Sequence, residues 1–424
     1  MMGNAISRGR LTAMALAPDG STRPADRYDA PMLMAGEARV QFHVMIKPVG
    51  SACNLNCAYC FYLSKATLAD GPGCGRMSDE TIEALIQQYI AGVTADEVVF
   101  TWQGGEPTLA GVDFYRKVIE LQKKHARPGQ RIQNDLQTNG TLLDEEWCRF
   151  LQENYFLVGL SIDGPKKLHD AYRVAKDSSP TFDQVMRGVR LLKQFGIPFN
   201  TLTCVNRLNA RQPLDVYRFL RREVGSTRIQ FTPVVEPVGF ETAPPRPDGV
   251  VTEWSVDPDD WGYFLCKTFD EWLARDLGKV YVNQFETLVS QHLGLGPQLC
   301  TYGEYCGKGV AVEHDGSVYA CDHYVYPKFR VGRLSDGKLA GSVFSRGQVK
   351  FGYAKSEFLP RQCRECEYLS DCRGECPKNR ILRTPDGEPG LNYLCAGLKR
   401  FYAHALPEVE RIVGELRKEP MPAV

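Results

Sequence analysis

The sequence has no excess of either charge and no hydrophobic segment long enough to span a membrane. Its 424 residues include 51 Lys and Arg against 51 Asp and Glu, so the formal net charge is zero. A chain without a basic excess lacks the electrostatic footprint of a nucleic-acid-binding protein. No apolar run approaches the roughly 18 residues of a transmembrane helix, and one of the longest, 155–160, has the length of a buried strand. We therefore expect neither nucleic acid nor a membrane among the partners.

The first 41 residues lack a sustained hydrophobic period, and we expect a mobile N-terminal arm there. Arg8 and Arg10 precede the apolar stretch 11–17, which is the order found in export signals, but this stretch is short and interrupted. Cysteines grouped as metal ligands, described next, also do not suit an oxidising compartment. The sequence predicts a cytoplasmic protein.

Disulfide bonds cannot account for all the cysteines, because there are 15 of them and the number is odd. They fall into an N-terminal trio, a set of eight in the last third of the chain, and four isolated residues. The trio is Cys53, Cys57 and Cys60; the eight are Cys300, Cys306, Cys321, Cys363, Cys366, Cys372, Cys376 and Cys395; the isolated ones are Cys74, Cys148, Cys204 and Cys266. A four-iron cluster is usually held by four thiolates. Eight cysteines would complete two such clusters, while the trio would leave one iron open, as a catalytic site requires.

From residue 42 onward, short hydrophobic strands alternate with helical patterns. The predicted strands are 42–46, 98–102, 132–137, 156–162, 199–205 and 228–232, and the predicted helices between them are 79–91, 114–124, 145–152, 182–195 and 213–222. This alternation is typical of an α/β protein with a parallel sheet, here a partial, TIM-like (β/α)6 barrel. Functional residues then belong at the C-terminal ends of the strands.

The rest of the chain is less regular. Residues 236–258 are rich in Pro, Gly and acid and indicate a surface excursion, followed by helices over 260–275 and 285–293 with a short strand, 280–282, between them. Beyond Pro297 the chain becomes cysteine-spaced and turn-rich, with little helical periodicity until a terminal helix predicted over 391–412.

The N-terminal trio has the spacing Cys53-x3-Cys57-x2-Cys60 on the loop after the first strand, so three thiolates can surround one face of a cluster. With Tyr59 before the third cysteine, this segment resembles the radical S-adenosylmethionine (SAM) superfamily. The alternatives are a zinc knuckle that lacks a ligand and a coincidence of spacing.

A second segment, Gly104-Gly105-Glu106 at the end of the second strand, strengthens that resemblance. In the superfamily this segment binds the amino group of SAM; glycines allow close backbone approach and a carboxylate suits an ammonium. The resemblance also implies that Ser161 and Arg173 hold the ribose and the carboxylate of SAM. The alternatives for these two residues are a helix cap and a surface ion pair.

The spacing of the eight later cysteines resembles the SPASM extension, which holds two auxiliary four-iron clusters. The family pattern assigns a first quartet, Cys300, Cys306, Cys321 and Cys376, and a second quartet, Cys363, Cys366, Cys372 and Cys395. Spacing alone would have assigned the local set 363, 366, 372 and 376 to one site, so the interleaving is implied only by the resemblance. Zinc ribbons are the alternative, because zinc also accepts four cysteines.

Several short sequence segments extend the resemblance to a particular family, the anaerobic sulfatase-maturating enzymes, over about residues 42–400. These segments are Lys47-Pro48-Val49-Gly50-Ser51, Cys60-Phe61-Tyr62, Gln137-Thr138-Asn139-Gly140, Cys321-Asp322-His323-Tyr324-Val325-Tyr326-Pro327 and Cys376-Pro377-Lys378-Asn379-Arg380. The resemblance implies oxidation of a cysteine or serine of a sulfatase to formylglycine, with Tyr62 and Gln103 near the substrate peptide.

One position departs from the family. The family has an aspartate that takes a proton from the substrate side chain, whereas the matching stretch here is Val282-Asn283-Gln284-Phe285-Glu286. The resemblance implies Glu286 as the base, with a side chain longer by one bond, roughly 1.5 Å; the alternative is a solvated acid at a helix start. The departure keeps open a maturase of a small ribosomally made peptide, which would introduce a crosslink, an epimerisation or a dehydrogenation.

The implied mechanism uses three [4Fe-4S] clusters and SAM. The trio-bound cluster reduces SAM, the resulting 5′-deoxyadenosyl radical removes a hydrogen from the β-carbon of the target residue, Glu286 takes the side-chain proton, and an auxiliary cluster accepts the remaining electron. The predicted partners are a sulfatase or other peptide and an electron donor such as flavodoxin or ferredoxin. A zinc-stabilised binding module without catalysis is the alternative from another class.

These inferences divide the chain into five segments. The predicted boundaries are 1–41 for the arm, 42–235 for the partial barrel, 236–296 for a linker with post-barrel helices, 297–400 for the SPASM domain and 401–424 for the C-terminal helix and tail.

Overall fold

A parallel sheet of six strands forms the centre of the molecule. The computed structural model describes residues 42–68, 71, 73 and 75–418, so the predicted arm and Cys74 lie outside the described residues. The strands are β1 (His43–Ile46), β2 (Glu97–Trp102), β3 (Arg131–Thr138), β4 (Leu157–Ser161), β5 (Phe199–Val205) and β6 (Arg228–Pro233), each parallel to the next. The predicted α/β class and all six strands are confirmed.

Helices connect these strands and cover the sheet. They are α1 (Asp79–Gly92), α2 (Val112–His125), α3 (Glu145–Glu153), α4 (Lys166–His169), α5 (Phe182–Gln194) and α6 (Pro213–Phe219), the last continued by a π-helical turn, Leu220–Val224. Side-chain N-caps define the first residues of α1 and α3. Ser78 accepts a hydrogen bond from the Thr81 amide, and Asp144 accepts one from the Trp147 amide. Such caps satisfy amides that have no partner within the helix.

The buried faces of these elements form two apolar clusters. One lies between β1–β4 and the helices α1–α3, and includes Tyr89, Trp102 and Tyr115, all at most 1% exposed. The other lies beside β5 and β6 and includes Phe231 and Trp261. Burial of this kind is the main favourable contribution to folding, and it leaves the loops at the strand ends free to carry chemistry.

Two helices follow the barrel directly, α7 (Pro258–Arg275) and α8 (Asn283–His292). The short strand β7 (Tyr281–Val282) lies between them and pairs in parallel with β6. These confirm the predicted elements. The surface excursion predicted over 236–258 is confirmed in part: Val238 and Val250 are exposed, whereas Glu236, Phe240, Ser255 and Val256 are at most 4% exposed.

The cysteine-rich part adds three strands to the sheet, which the sequence did not predict. Strand β8 (Gly309–Val312) pairs in parallel with β1, and β9 (Ser317–Tyr319) and β10 (Arg330–Arg333) follow antiparallel. Four further helices were also missed: α9 (Leu339–Val343), α10 (Arg346–Glu357), α11 (Arg361–Arg364) and α12 (Leu369–Cys372). The ten-stranded sheet places the start of this part next to the loop after β1, which carries the cysteine trio.

The chain ends in the long helix α13 (Cys395–Lys418), which packs on α7 and α8. The helix predicted over 391–412 starts later than expected because Pro389–Leu391 forms strand β12, paired with β11 (Leu382–Arg383). Its observed bounds also run through the predicted domain boundary at 400. None of the helices among the described residues combines the length and the apolar character needed to cross a membrane.

Candidate active site and cluster sites

The cysteine trio lies on the loop after β1, at the C-terminal edge of the parallel sheet. All three thiols are partly buried, and the loop is held by the Leu55 amide, which donates to Cys53 Sγ at 3.3 Å. Burial raises the pKa of Cys53 to about 11, and the negative charges of Glu106 and Cys60 add to this. Burial also raises the pKa of Cys57 and of Cys60, while the positive charge of Arg173 opposes the shift in both. Thiols in this setting ionise only when a cation binds them, as in a metal cluster.

The Gly-Gly segment after β2 packs directly on the backbone that precedes the trio. The Gly105 amide donates to Gly50 O at 2.9 Å, and the Glu106 amide donates to Ala52 O at 2.8 Å. A Cβ on Gly105 would lie 2.0 Å from Ala52 O, and one on Gly104, whose φ is +131°, would lie 2.8 Å from Gly50 O. Both glycines are therefore required by the contact between the two loops.

Gly105→Ala should displace the trio loop, because an oxygen at 2.0 Å from the new Cβ has to move. We expect reductive cleavage of SAM by the reconstituted protein to fall at least about tenfold, an effect of about 1.4 kcal/mol or more. Gly414→Ala is the matched control, since nothing lies within 4 Å of its Cβ position. Equal cleavage by both variants would contradict the requirement for glycine at 105.

Glu106 directly follows the Gly-Gly turn after β2. Its carboxylate is fully buried and accepts four hydrogen bonds from the chain itself: from the Thr108 amide and hydroxyl at 3.0 and 2.7 Å, from the Thr138 hydroxyl at 2.7 Å, and from the Asn139 amide at 2.7 Å. These bonds join the loops after β2 and β3. In this arrangement the carboxylate positions the two loops, and the contact of Glu106 with the SAM ammonium stays a prediction.

Arg173 and Ser161 lie at the same edge of the sheet. Arg173 is 7% exposed and its Nε is 3.0 Å from the carboxylate of Asp163, which is fully buried. Asp163 also accepts from the Tyr59 hydroxyl and, at 3.0 Å, from the Cys204 amide. The surface ion pair considered for Arg173 is therefore wrong, because the pair is buried. Ser161, at the end of β4, accepts from Gln137 Nε2 at 3.0 Å.

Asp163 and Tyr59 were missed as site residues, although Tyr59 lies within the cysteine trio and Asp163 lies two residues after Ser161. No spacing rule distinguishes an acid that orients an arginine from one in an ordinary turn. Only the fold brings Tyr59, from the trio loop, into contact with Asp163, the second residue after β4.

A buried polar cluster joins the trio loop to the cysteine-rich part. Tyr62, 2% exposed, donates its hydroxyl to Glu313, and Lys47 pairs with Asp322 and lies 4.4 Å from the Tyr62 ring centroid. Burial raises the pKa of Glu313 to about 7 against the opposing charge of Lys47. Gln103, the other residue expected near a peptide, follows β2, and its backbone amide donates to Ile46 O at 2.8 Å. Tyr62 and Gln103 thus lie on loops that leave neighbouring strands.

Lys65 is a further buried group that the sequence did not reveal. Its side chain is 1% exposed, its ammonium has no hydrogen-bond partner, and it lies 3.6 Å from the Tyr326 ring centroid. Burial lowers its pKa to about 8, an effect that the charge of Glu236 opposes. A lone lysine in a polar segment carries no pattern that would predict this burial.

Glu286 lies in the first turn of α8, and it is buried. It is 2% exposed and its Oε1 atom has no hydrogen-bond partner, so the alternative of a solvated acid is wrong. Burial alone raises its pKa to about 8. A buried carboxyl group with a raised pKa and an oxygen that has no hydrogen-bond partner in the protein has the properties of a general base rather than of a structural ion.

The thiols of the first quartet lie close enough to influence one another. Burial raises the pKa of Cys321, and negative charge on Cys376, Cys300 and Cys306, the other three members, raises it further. The ammonium of Lys355, 1% exposed, donates to Cys300 O at 2.8 Å and Thr301 O at 2.7 Å, and its charge lowers the pKa of Cys300 and Cys306 against the effect of burial. A cation thus lies beside these four thiols.

The second quartet surrounds a cavity. Cys363, Cys366, Cys372 and Cys395 all line it, together with Tyr368, Gly374, Asn392 and Tyr402, whereas Cys376 does not. Within the described residues, no three His, Cys, Asp or Glu side chains converge on a point where a single ion would lie. Thiols spread around a cavity suit a ligand of several atoms, such as a four-iron cluster, and the membership of this cavity matches the interleaved set rather than the local one.

Comparison with known proteins agrees with this geometry. A family model described as the radical SAM superfamily matches residues 48–220. The serine-type anaerobic sulfatase-maturating enzyme of Bacteroides thetaiotaomicron is 44% identical over 388 residues, which is 90% of this chain and 93% of that enzyme. The cysteine-type enzyme of Clostridium perfringens is 34% identical over 377 residues, covering 88% and 99% of the two chains.

Solved structures give the same result. One described as native anSMEcpe with bound AdoMet and Cp18Cys peptide superposes with a TM-score of 0.79 at 33% identity, over 89% of this chain and 100% of that one. The matches extend over the barrel and the cysteine-rich part together. The chain therefore belongs to the anaerobic sulfatase-maturating enzymes of the radical SAM superfamily.

Proposed function

We propose that this protein oxidises a serine or cysteine side chain of a sulfatase peptide to formylglycine. The observation that carries the proposal is the convergence, at one edge of the parallel sheet, of three thiols, the Gly-Gly turn packed on their loop, and the buried Arg173–Asp163 pair. Relatives named as serine-type and as cysteine-type enzymes support it. Because these relatives match most of this chain and nearly all of their own length, they favour sulfatase maturation over a small-peptide maturase.

Membership of the superfamily implies SAM and one [4Fe-4S] cluster. Cys53, Cys57 and Cys60 would hold the cluster, with one iron left for SAM. Gly104, Gly105, Glu106, Ser161 and Arg173 would hold SAM, with Asp163 fixing the arginine. Bound there, the two groups would supply a 5′-deoxyadenosyl radical that abstracts hydrogen, and the protein supplies orientation and shielding from water.

The chain's own residues handle the substrate proton. Glu286 is the one we assign as base: it is buried, lacks a hydrogen-bond partner at Oε1, and has a pKa of about 8 because of burial. Tyr62 and Gln103 would border the peptide.

The two quartets would each hold an auxiliary four-iron cluster, giving three clusters in all. Their thiols lie around separate positions, and the buried cation Lys355 beside the first quartet offsets the negative charge that thiolates and cluster would bring. Such clusters suit the removal of an electron from the substrate. We further propose an external donor such as flavodoxin or ferredoxin, a cytoplasmic location, and no nucleic-acid or membrane partner.

The test is anaerobic reconstitution followed by incubation with reductant, SAM and two matched peptides with the sulfatase motif, one with serine and one with cysteine at the target position. We expect mass spectrometry to show an aldehyde in at least one peptide. Formation of 5′-deoxyadenosine without an aldehyde in either peptide, but with modification of a short precursor peptide, would support the small-peptide maturase instead.

A further inference from the structure

The segment between the two quartets has an unusual backbone. Cys372 lines the second cavity and Cys376 lies with the first quartet, although only three residues separate them. These residues, Arg373, Gly374 and Glu375, all have left-handed φ values, of 50°, 67° and 50°. Two of the three carry side chains, which disfavour this conformation. Something outside the segment has to hold it.

Arg380 occupies the inside of that turn. Its Nε donates to Gly374 O at 2.9 Å, and its Nη2 donates to Arg373 O at 2.9 Å and to Glu375 O at 3.4 Å. The same guanidinium donates through Nη1 to Lys355 O, on α10, at 2.5 Å. A Cβ on Gly374 would lie 2.7 Å from Arg380 Nη2, so only glycine leaves room for this contact.

The charge of Arg380 lies between the quartets. The side chain is 8% exposed, and its four hydrogen bonds all go to backbone carbonyls. The neighbouring carboxylate of Glu375 is used elsewhere, accepting from Asn379 at 3.0 Å and Asn392 at 2.8 Å. Cysteines of both sets are close enough to influence the guanidinium: Cys376 and Cys306 of the first quartet and Cys363 of the second.

We propose that Arg380 holds the left-handed turn that sends Cys372 to one auxiliary cluster and Cys376 to the other. It is a positioning residue: it contacts the backbone between the ligands and not the ligands themselves. The fork of an arginine reaches several carbonyls at once, whereas a lysine has its donors at one point. This inference rests on the three clusters of the proposed function.

The test compares iron and sulfide content of reconstituted protein, with SAM cleavage in the absence of peptide as an independent readout of the trio. Three clusters give about 12 iron atoms per chain. For Arg380→Met we expect about 4, with SAM cleavage retained. Arg380→Lys, the milder variant, should lose part of the auxiliary iron. Arg383→Met is the control, since Arg383 is a nearby but exposed arginine that pairs with Asp248.

A second substitution, Arg373→Gly, distinguishes loss of the left-handed turn from poor folding of Arg380→Met. Glycine adopts left-handed φ freely, so Arg373→Gly should restore auxiliary iron to Arg380→Lys or Arg380→Met. Full auxiliary iron in both Arg380 variants, or a loss that Arg373→Gly does not reduce, would overturn the proposal. A wild-type content of about 4 iron atoms would overturn it together with the three-cluster assignment. Wild type with about 12 iron atoms but no aldehyde would remove only the proposed function.

Discussion

Glu286→Gln should lower formylglycine formation at least about 100-fold, the usual minimum for loss of a general base. Glutamine preserves the shape of the side chain but cannot take a proton. Cluster content and the cleavage of SAM to 5′-deoxyadenosine should not change, because Glu286 is not among the residues assigned to the clusters or to SAM. Mass spectrometry of the peptide and quantification of 5′-deoxyadenosine measure the two quantities separately.

The pH dependence gives the same residue a second signature. A base with a pKa of about 8 is protonated below that value, so wild-type turnover should rise with pH and level off above about 8. Glu286→Asp is the control that keeps a carboxylate one bond shorter, and it should keep measurable activity. Peptide oxidation by Glu286→Gln at the wild-type rate would show that another group takes the proton.

The raised pKa also predicts a stability effect. The folded protein retains a proton that an unfolded glutamate, with its ordinary pKa of 4.5, releases. The contribution of Glu286 to stability is therefore greatest at low pH and falls as pH rises from about 4.5 to about 8. Thermal unfolding of Glu286→Gln should show a smaller decline across that range than wild type.

The second large effect concerns the division of the later cysteines. If Cys363 and Cys376 belong to different clusters, each single change to alanine should remove about 4 of about 12 iron atoms, and the double change about 8. The reason is structural: Cys363 lines the cavity of the second quartet, while Cys376 raises the pKa of Cys321 in the first. Cys266→Ala is the control, a thiol on α7 outside every group.

A different iron content is expected if the cysteines at 363, 366, 372 and 376 bind one cluster together. In that case the double variant would lose no more iron than either single variant, because both changes would affect the same site. This result would contradict the interleaving that the cavity supports.

The sequence predicted the parallel sheet well because most of its strands, which are four to eight residues long, are hydrophobic or alternate apolar with polar residues and are followed by a helical pattern. It missed β8 and β9, which have four and three residues, because no alternation of strands with helical patterns surrounds them. Their existence depends on pairing with β1 and with each other, which is a tertiary effect. Helix α10, at 12 residues, was missed for a related reason: its buried residues include Gln348, Gly352 and Lys355, which give no hydrophobic stripe.

The candidate site was predictable wherever a spacing carries chemistry, as with the trio and the Gly-Gly segment. It was not predictable where a side chain acts through another one. Glu106, predicted as an ammonium ligand, also joins its own loop to the next one through four hydrogen bonds, which the sequence did not reveal. The same holds for Asp163 behind Arg173 and for Arg380 inside its turn, because only the fold brings these partners together.

The central claim, oxidation at the β-carbon of a serine or cysteine in a peptide, is tested most directly with a target residue deuterated at that carbon. The reconstituted holoenzyme would be incubated with reductant, SAM and the labelled peptide, and both products would be analysed by mass spectrometry. We predict an aldehyde in the peptide and one deuterium in 5′-deoxyadenosine. Unlabelled 5′-deoxyadenosine, or a deuterated product without an aldehyde, would contradict the claim.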